Sequence, residues 1–413
     1  MIPALAAALL VFAGGVADRV LLTRRQVTEP TAGAAPPDFT LIRQAWDIID
    51  REYVDRPALK TDPLTRGAIA GLVDALGDTG HSVYLTPGMV REQRLLRRGE
   101  YLGVGLEIEP VGGGARIVAS MDNSPARAVG LHSGEQILKI DGRSIAGMDI
   151  ASVVALIVGP AGTSVTLTIF DPSRPATFDA ALKRTRIKLE NVSWSRIPGT
   201  LFADLRVAAF NRGVAGELKT ALGEVEKQGI QGAVLDLRNN PGGELAEATG
   251  AASEFLRGGD VLLEKDSHGT ITHDVVKPGG AAQDLPLVVL VDGGTASGAE
   301  IVAGALQDAK RAPLIGETTF GTGTVLSDFQ LSDGSAIQLA VREWLTPAGR
   351  NIWHKGIAPD IPAHVAPSAE LVTPGSLKSM SPEALAASGD AQMKKALEIL
   401  EHAGRPGAQE APR

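Results

Sequence analysis

The sequence predicts an α/β protein with a mixed α+β core, preceded by an N-terminal helical region and a smaller strand-rich module. Three observations support this fold class. Residues 38–98 place apolar side chains at helical spacing, whereas short alternating strands with glycine-rich turns begin at Gly99. Beyond residue 200, buried strands alternate with amphipathic helices, as in an α/β layer. The chain has 413 residues, 44% of them hydrophobic, which is enough for two or three such domains.

The helical region contains two apolar stripes. The positions that recur at helical spacing are Ile42, Ala45, Trp46, Ile49 and Tyr53 in the first helix and Ile69, Leu72, Val73 and Leu76 in the second. Residues 77–81 break the second helix, and a third helix begins with Thr86 as its cap and Pro87 as its first residue. His81, a lone histidine in that loop, is interpreted as structural.

The first 25 residues have the character of an export signal or a membrane anchor. Residues 1–17 are almost wholly apolar, a run that is short for a membrane span but typical of a signal sequence. Small residues at 15–17 suit cleavage, whereas the lack of basic residues before the run also fits an uncleaved anchor. The alternative is a buried core helix, which the linker-like composition of residues 26–37 disfavours. We expect an exported, periplasmic or otherwise extracytoplasmic protein that contacts the membrane only through this segment.

Charge and cysteine content exclude several kinds of site. Lys and Arg number 40 against 48 Asp and Glu, and no basic cluster is interleaved with aromatic residues, so nucleic acid is not an expected partner. The chain has no cysteine, which excludes disulfides, thiolate metal sites and a cysteine nucleophile. The segment GETTFGTGT lacks the lysine of a phosphate-binding loop, which argues against nucleotide binding. No metal and no organic cofactor is expected.

The candidate nucleophile lies within residues 287–326. A buried strand, Leu287–Val291, runs into a tight turn, and helical periodicity follows from Ala299 to Leu306. Ser297 lies at the joint, where its hydroxyl is presented at the carboxyl end of the strand. The N–H groups of the first helical turn can stabilise a developing oxyanion there. The alternative is that Thr295 or Ser297 only caps the helix.

The same stretch resembles the C-terminal processing peptidases, a family of tail-specific serine proteases. The matching blocks are GTASGAEI, GALQD, KRA and GETTFGTGTVL around Ser297, DLRNNPGG before them, and TPAGR and KGIAPD after them. By this resemblance Ser297 is the nucleophile, and backbone N–H groups of Gly242 or Gly243 and of Gly298 form the oxyanion hole. Apart from the resemblance, DLRNNPGG fits an ordinary strand-to-helix turn equally well.

The family's general base and the residue that orients it are both replaced in this chain. Thr322 stands where the family has a lysine, and Leu326 stands where it has a glutamine. A serine hydroxyl needs a base within hydrogen-bond reach, and threonine has no basic group, so we expect a broken Ser-Lys dyad. The side chains considered as substitute bases are Lys310, Lys355, His268, His273 and His354. The sequence brings none of them next to Ser297.

Residues 99–172 resemble a bacterial PDZ domain, a module that binds a peptide's C-terminus by adding the peptide as a strand. The resemblance extends in order from GEYLGVGLEIEP through NSPARAVGLHSGEQILKIDGRSIAGM to TSVTLTIF. The residues that match its carboxylate-binding loop are Gly103, Val104, Gly105 and Leu106. The helix over residues 150–157 is expected to line the groove. Its candidate ligand contacts are Val153, Val154 and Ile157, which fit the domain's own core equally well.

The resemblance covers residues 38–402 and divides the chain. The predicted parts are a signal peptide or anchor at 1–25, a linker at 26–37, a helical region at 38–98, a PDZ domain at 99–172, a peptidase-type α/β core at 173–365, and an extension at 366–413 that is irregular except for a helix at 392–402. Two functions stay open. One is a serine endopeptidase that captures polypeptides with free C-termini and hydrolyses them through Ser297. The other is a non-catalytic pseudoprotease that binds C-termini as a scaffold or regulator. By analogy, the helical region implies a homo-oligomer.

Overall fold

The computed structural model describes residues 38–78, 82–111, 114–121, 124–132, 134–148, 150–366 and 369–403. The predicted signal or anchor, the linker after it and His81 lie outside these residues. No helix within the described ranges is long and apolar enough to cross a membrane.

The N-terminal region is helical with one short strand in its described part. Its elements are α1 (Phe39–Glu52), α2 (Thr61–Asp74), β1 (Val83–Leu85) and α3 (Pro87–Leu96), with a 3₁₀ turn at Arg56–Ala58. The predicted start of the third helix is confirmed: Thr86 accepts a hydrogen bond from the N–H of Met89, and Pro87 is the first helical residue. The prediction of helices alone is wrong at β1. Three residues are too few to show strand alternation, and β1 is held by pairing with a strand far along the chain, β18 (Ala336–Leu345).

The smaller module is an antiparallel sheet with two helices. Its elements are β3 (Leu106–Val111), β4 (Gly114–Ser120), α4 (Pro125–Ala128), β5 (Gln136–Ile140), β6 (Arg143–Ser144), α5 (Ile150–Ile157), β7 (Ser164–Asp171) and β8 (Ala176–Lys183). The strand order is β3-β4-β5-β7-β8, with β6 beside β5, so β3 is an edge strand. A two-stranded ribbon, β2 (Glu100–Gly103) with β9 (Thr185–Lys188), joins the module to the rest of the chain.

The predicted boundary of this module at residue 172 is too early. The core is predicted to begin at residue 173, but β8 pairs with β7 along its whole length as a hairpin. The sheet of the module therefore continues to Lys183, and the chain enters the core only after β9. The alternation of apolar residues shows that a strand is present but does not show which sheet the strand joins.

The core sheet is parallel except at one edge. Its strands, in spatial order, are β10 (Val192–Arg196), β11 (Phe202–Val207), β12 (Gly232–Asp236), β15 (Leu287–Val291), β16 (Leu314–Gly316) and β19 (Ile361–Pro362), of which β10 is antiparallel to β11. The connecting helices are α6 (Val214–Lys227), α7 (Leu245–Ser253) and α8 (Gly298–Asp308). The predicted mixed α/β fold is therefore confirmed. The carboxyl ends of β12 and β15, which are neighbours, carry the two loops that meet at Ser297.

Successive side chains of the core strands point to opposite faces, and both faces are buried. On one face Leu235 and Val289 pack with the three connecting helices. On the other face Val234 and Val288 pack against the C-terminal extension. The extension contains α9 (Pro374–Leu377), α10 (Pro382–Ala387) and α11 (Ala391–Ala403).

The predicted terminal helix at 392–402 corresponds to α11, but the prediction of an irregular chain up to residue 390 is wrong. The helices α9 and α10 lie in that segment, and each begins with a hydroxyl cap, Thr373 or Ser381, followed by proline. Helices of four and six residues are too short to show an apolar period.

A second sheet lies beside the core. It contains β13 (Asp260–Lys265), β14 (Ile271–Val275) and β17 (Thr324–Gln330) together with β1 and β18. The strands β13 and β14 form a hairpin that contains His268 and His273. Because β17 follows directly after residue 322, this sheet fixes the segment in which the family has its general base.

Candidate active site

Ser297 lies between β15 and α8 in a strained conformation. Its backbone has φ 51° and ψ −117°, a combination that costs a non-glycine residue on the order of 1–3 kcal/mol. The residue is 1% exposed, its side chain forms no cap hydrogen bond, and its Oγ has no hydrogen-bond partner among the described residues. An unpaired hydroxyl in a strained turn at a helix N-terminus is typical of a nucleophile rather than of a cap.

Residues 238–243, which we call the oxyanion turn, pack directly on Ser297. A Cβ placed on Gly242 would lie 2.6 Å from both the Gly298 nitrogen and the Ser297 Cβ, closer than real Cβ contacts allow. Gly242 and Gly243 have φ 94° and 148°, values that only glycine adopts without strain. The turn and the first residue of α8 are therefore in contact, as the resemblance implies.

The candidate oxyanion donors are not equivalent. The N–H of Gly242 donates to the Oδ1 of Asn240 at 2.8 Å. Within the described ranges, neither the Gly243 N–H nor the Gly298 N–H donates to a protein acceptor. The structure thus favours Gly243 and Gly298 as the pair that remains able to bind an oxyanion.

The oxyanion turn is held in place by side-chain amides and the main chain. Asn240 donates from Nδ2 to the carbonyl of Val207 at 2.7 Å and accepts the N–H of Ala296 at its own carbonyl at 2.9 Å. The Phe210 N–H donates to the Gly242 carbonyl at 2.7 Å. These bonds join the turn to β11 on one side and to the residue before Ser297 on the other.

A buried charge network stands behind the oxyanion turn. Arg238 is fully buried and donates to both carboxylate oxygens of Asp236 at 2.8 and 2.9 Å, and to both of Asp390 at 2.8 and 3.0 Å. Arg206 donates to Asp236 at 3.1 Å. Two guanidinium groups are thereby balanced by two carboxylates. Burial, and then the nearby charge of Asp236, raise the pKa of Asp204 well above its usual range, and neither Asp204 oxygen has a hydrogen-bond partner among the described residues.

Residues 319–326, which we call the base loop, are held by one carboxylate. Glu300 is fully buried in the first turn of α8, and its Oε2 accepts the N–H groups of Ser297 and Thr322, both at 2.9 Å. Its Oε1 accepts the Thr319 hydroxyl at 2.5 Å and the Gly321 N–H at 2.7 Å. Burial raises the pKa of Glu300, and the four donors oppose that rise.

Thr322 contacts the main chain of Ser297 rather than its hydroxyl. The Oγ1 of Thr322 accepts the Ser297 N–H at 3.0 Å. Leu326 lies in β17 opposite Ala340 and is 1% exposed. Thr322 therefore contacts Ser297 as the resemblance implies, but Thr322 carries a hydroxyl and Leu326 an isobutyl group where the resemblance implies an amine and an amide.

None of the side chains considered as substitute bases is hydrogen-bonded to Ser297. The His273 Nδ1 lies 3.0 Å from the Oδ2 of Asp260, and His268 lies beside Asp266 in the hairpin turn. The His354 N–H donates to the Gly321 carbonyl at 2.9 Å, so the turn that contains His354 and Lys355 packs on the base loop through its backbone. Within the described ranges no cluster of three or more metal-ligating side chains is formed.

Comparison with known proteins gives matches to the core and to the smaller strand-rich module. The profile of Peptidase family S41 matches residues 202–363, and that of the PDZ domain matches residues 116–169. Carboxy-terminal processing protease CtpA of Bacillus subtilis is 33% identical over 345 residues, which cover 83% of this chain and 72% of the relative. The carboxyl-terminal-processing protease of Synechocystis is 37% identical over 329 residues, 78% of this chain and 76% of the relative.

The chain belongs to the carboxy-terminal processing proteases. In agreement, the photosystem II D1 C-terminal processing protease superposes on 84% of this chain and 97% of its own, with a TM-score of 0.53 and 30% identity. The resemblance inferred from the sequence blocks is therefore confirmed, together with the protease-type fold and the PDZ domain. The family consists of serine proteases, and Ser297 stays the predicted nucleophile.

The PDZ domain of this family member keeps an open edge for a peptide. Among the described residues the strand β3 pairs only with β4, which leaves its other side unpaired, as strand addition by a peptide requires. Val104 is buried in the domain core, and Val153 and Ile157 are buried there too, whereas Val154 is half-buried at the edge of the core. Of the three predicted groove contacts on α5, the core alternative fits Val153 and Ile157, and Val154 is left as the candidate ligand contact.

The sequence reasoning missed two features of the site. Glu300 was treated only as a marker of the serine block, although it joins Ser297, Thr319, Gly321 and Thr322. The signal that could have revealed it is its position three residues after Ser297, where a carboxylate reaches back to main-chain N–H groups at a helix start. The anchoring of Arg238 by Asp390 was also missed, because no local pattern relates two residues so far apart in sequence.

Proposed function

We propose that this protein captures polypeptide C-termini with its PDZ domain and presents them to a protease core whose serine lacks a general base. The protein then still binds polypeptide C-termini, whereas hydrolysis through Ser297 is severely impaired or lost. The protein acts, in this proposal, as a peptide-binding scaffold or regulator built on a C-terminal processing peptidase.

The observation that carries this proposal is the environment of the Ser297 Oγ. The hydroxyl has no hydrogen-bond partner among the described residues, and the Thr322 hydroxyl is bonded to the Ser297 N–H. A serine hydroxyl has almost no alkoxide at neutral pH without a base to accept its proton. Loss of such a base typically lowers kcat by about 10³-fold or more.

A working serine endopeptidase is the second candidate. It is favoured by the strained φ of Ser297 and by the Gly243 and Gly298 N–H groups, which have no protein acceptor in the described part of the chain. A strained nucleophile with a formed oxyanion hole retains part of the rate enhancement even when its base is removed. This candidate requires a base recruited from another part of the chain or from the substrate.

Export and self-association complete the proposal. The apolar residues 1–17 support export to an extracytoplasmic compartment, where the partners would be polypeptides with free C-termini. The helix α1 has no buried residue and exposes Phe39, Ile42 and Trp46 on one amphipathic face. An apolar stripe of this kind supports pairing with a second copy of the chain.

The test is hydrolysis of an unfolded protein that ends in a free, apolar C-terminus. The full chain, its Ser297→Ala variant and its Thr322→Lys/Leu326→Gln double variant are compared at neutral pH. We expect the first two proteins to be equally inactive and the double variant to cleave about 10²- to 10³-fold faster. Cleavage by the unmodified chain that Ser297→Ala abolishes would contradict the proposal and establish the working peptidase.

A further inference from the structure

The carboxylate of Asp292 binds two turns of the active site. Asp292 is the first residue after β15, and residues 292–297, which we call the nucleophile turn, connect that strand to α8. The Oδ1 of Asp292 accepts the Gly294 N–H at 3.0 Å within the nucleophile turn. The same oxygen accepts the Asn239 N–H at 2.9 Å from the oxyanion turn. One carboxylate oxygen therefore joins the two turns.

Thr295 supplies a second link between the same turns. Thr295 is fully buried, and its hydroxyl donates to the carbonyl of Leu237, the residue directly before the oxyanion turn, at 2.9 Å. The Thr295 Oγ1 also accepts the Asp292 N–H at 2.9 Å and lies 3.2 Å from the Asp292 Oδ1. The Thr295 N–H donates to the Asp292 carbonyl at 3.0 Å. Asp292 and Thr295 therefore hold each other and together hold the start of the oxyanion turn.

Asn239 is the residue at which the oxyanion turn needs this support. Its φ of 54° lies in the left-handed region, which is uncommon for a residue other than glycine. A Cβ placed on Gly294 would lie 2.8 Å from the Asn239 Oδ1 and 3.0 Å from the Asn239 Cα, so the two turns are in close contact there. Gly243, whose N–H has no protein acceptor within the described ranges, follows in the same turn. A displacement of Asn239 therefore moves the candidate oxyanion donor.

Asp292 is placed to accept hydrogen bonds rather than to activate the serine. The Ser297 Oγ has no hydrogen-bond partner in the described part of the chain, so the carboxylate does not contact the nucleophilic oxygen. Burial raises the pKa of Asp292, and the N–H groups of Asn239 and Gly294 oppose that rise. An asparagine side chain presents one carbonyl oxygen that can accept the same bonds without a charge.

We propose that Asp292 is a positioning residue which, together with Thr295, holds the Gly243 N–H where an oxyanion forms on Ser297. Asp292 acts through Asn239 and contacts no substrate. This inference goes beyond the proposed function, because it concerns the oxyanion turn alone and holds with or without a general base at position 322.

The test is the equilibrium affinity of the full chain for a tripeptide boronate with alanine side chains, measured by calorimetry at neutral pH. The Ser297 Oγ adds to boron and releases its proton to the buffer, and the tetrahedral boron then carries the negative charge. A hydroxyl of this adduct occupies the oxyanion hole, as a transition-state analogue does. An equilibrium constant does not depend on a general base, so the affinity reports the oxyanion hole. Ser297→Ala cannot form the bond to boron and sets the level of noncovalent binding.

Two pairs of variants separate the acceptor from the rest of the side chain. Asp292→Ala removes the acceptor, and we expect about 10-fold to 100-fold weaker binding, since loss of one oxyanion donor costs about 10²- to 10³-fold. Asp292→Asn keeps an acceptor oxygen and should bind within about threefold of the unmodified chain. Thr295→Val removes the bond to Leu237 and should bind about tenfold more weakly, whereas Thr295→Ser should bind within about threefold.

Asp171→Ala is the matched control. The Oδ1 of Asp171 accepts the N–H and the hydroxyl of Ser173 at 2.8 and 2.6 Å, which are bonds inside one hairpin turn of the PDZ domain. Its removal should leave the affinity for the boronate unchanged. Urea unfolding establishes that each variant is folded under the conditions of the titration.

Three outcomes would overturn the proposal. A folded Asp292→Ala variant may not bind as tightly as Asp171→Ala if the proposal holds, and Asp292→Asn may not bind as weakly as Asp292→Ala. If Asp292→Ala does not fold, equal affinities of Thr295→Val and Thr295→Ser would overturn the proposal instead. If the unmodified chain binds no more tightly than Ser297→Ala, the oxyanion hole is not formed and the positioning role fails with it. Each of these results leaves the proposed capture of C-termini by the PDZ domain unaffected.

Discussion

Two loops meet at Ser297, and they differ in which of the family's residues they contain. The oxyanion turn, residues 238–243, has the family's residues and places glycines where a Cβ would strike the nucleophile. The base loop, residues 319–326, has Thr322 and Leu326 at the positions where the family resemblance predicts the lysine and the glutamine. Both loops are held by hydrogen bonds, and in the function proposed above only the oxyanion turn has groups that act on a substrate.

The difference shows that the atoms that hold the base loop in place are not the atoms that a general base would use. The base loop is held to α8 by Glu300 through main-chain N–H groups and the Thr319 hydroxyl, none of which requires a lysine at position 322. A threonine there even adds a bond, from the Ser297 N–H to its Oγ1. A threonine in place of the lysine at position 322 therefore need not destabilise the fold. A lysine introduced there would enter a loop that is already held in place by Glu300.

The largest effect is expected where the oxyanion turn is anchored to the C-terminal extension. Asp390→Asn leaves two guanidinium groups, those of the completely buried Arg238 and of Arg206, with Asp236 as the one carboxylate between them. Removing one partner of a buried ion pair typically lowers the free energy of unfolding by about 3–5 kcal/mol. Urea unfolding measures the change. Hydrogen exchange at the Val372 N–H, which donates to Asp390, reports whether α9–α11 separate first.

The control for Asp390→Asn is an exposed ion pair. Asp284→Asn removes the partner of Arg257, and the Asp284 side chain is 84% exposed. Surface pairs contribute about 0–1 kcal/mol, so this variant should unfold at nearly the same urea concentration as the unmodified protein. An equally small change in both variants would mean that the network behind the oxyanion turn does not anchor it.

The next effect is expected at the contact between the oxyanion turn and Ser297. Gly242→Ala places a methyl group 2.6 Å from the Gly298 nitrogen at φ 94°, so the turn must move away from the nucleophile. We expect a loss of about 3 kcal/mol in the free energy of unfolding. In the Thr322→Lys/Leu326→Gln background we also expect covalent labelling of Ser297 by a fluorophosphonate to be lost.

Gly293→Ala is the matched control for that substitution. Gly293 lies in the turn before Ser297, its Cβ position has no neighbour within 4 Å, and its φ is not left-handed. Its stability and its labelling should match those of the background protein. If Gly242→Ala labels as fast as Gly293→Ala, the oxyanion turn is not part of the reactive geometry.

The sequence is a good guide to this site where the pattern is local. The strand Leu287–Val291 agrees with the predicted bounds, because it is a continuous apolar run that ends at a clear turn. Ser297 and the glycines of the oxyanion turn were likewise found from short blocks. These residues are recognisable since strain and close approach restrict the residue types that fit them.

What the sequence did not predict depends on distant partners. The strand β8 was assigned to the core because its sheet partner is not encoded in its own alternation. The buried contact between Arg238 and Asp390 joins the oxyanion turn to a segment expected to be irregular. Two adjacent glycines in the sequence also do not reveal which of them can bind an oxyanion. Among the described residues the Gly242 N–H donates to Asn240, whereas the Gly243 N–H has no protein acceptor, and this difference depends on the geometry of the turn.

A moderate effect is expected from breaking the anchor of the base loop. Glu300→Gln keeps the size of the side chain but replaces one of two acceptor oxygens with an amide NH₂ donor, which then faces main-chain N–H groups. A buried unsatisfied N–H costs about 1–3 kcal/mol, so we expect a loss of about 2 kcal/mol in the free energy of unfolding. Glu226→Gln, at an exposed position of α6, should change it by less than about 0.5 kcal/mol. Equal stability of the two variants would show that Glu300 does not hold the loop.

The smallest effect on stability is expected at position 322. This substitution tests most directly whether the base loop has a chemical role, as the oxyanion turn is expected to have. Thr322→Val removes the acceptor of the Ser297 N–H but leaves the Glu300 Oε2 as a second acceptor of the same group. We therefore expect a loss of only about 0.5–1.5 kcal/mol in the free energy of unfolding. The fluorophosphonate labelling rate of Ser297 should stay unchanged, since a threonine hydroxyl accepts no proton from the serine at neutral pH. A large fall in that rate would mean that Thr322 takes part in activating Ser297, and the base loop would then have kept a chemical role that its residues do not suggest.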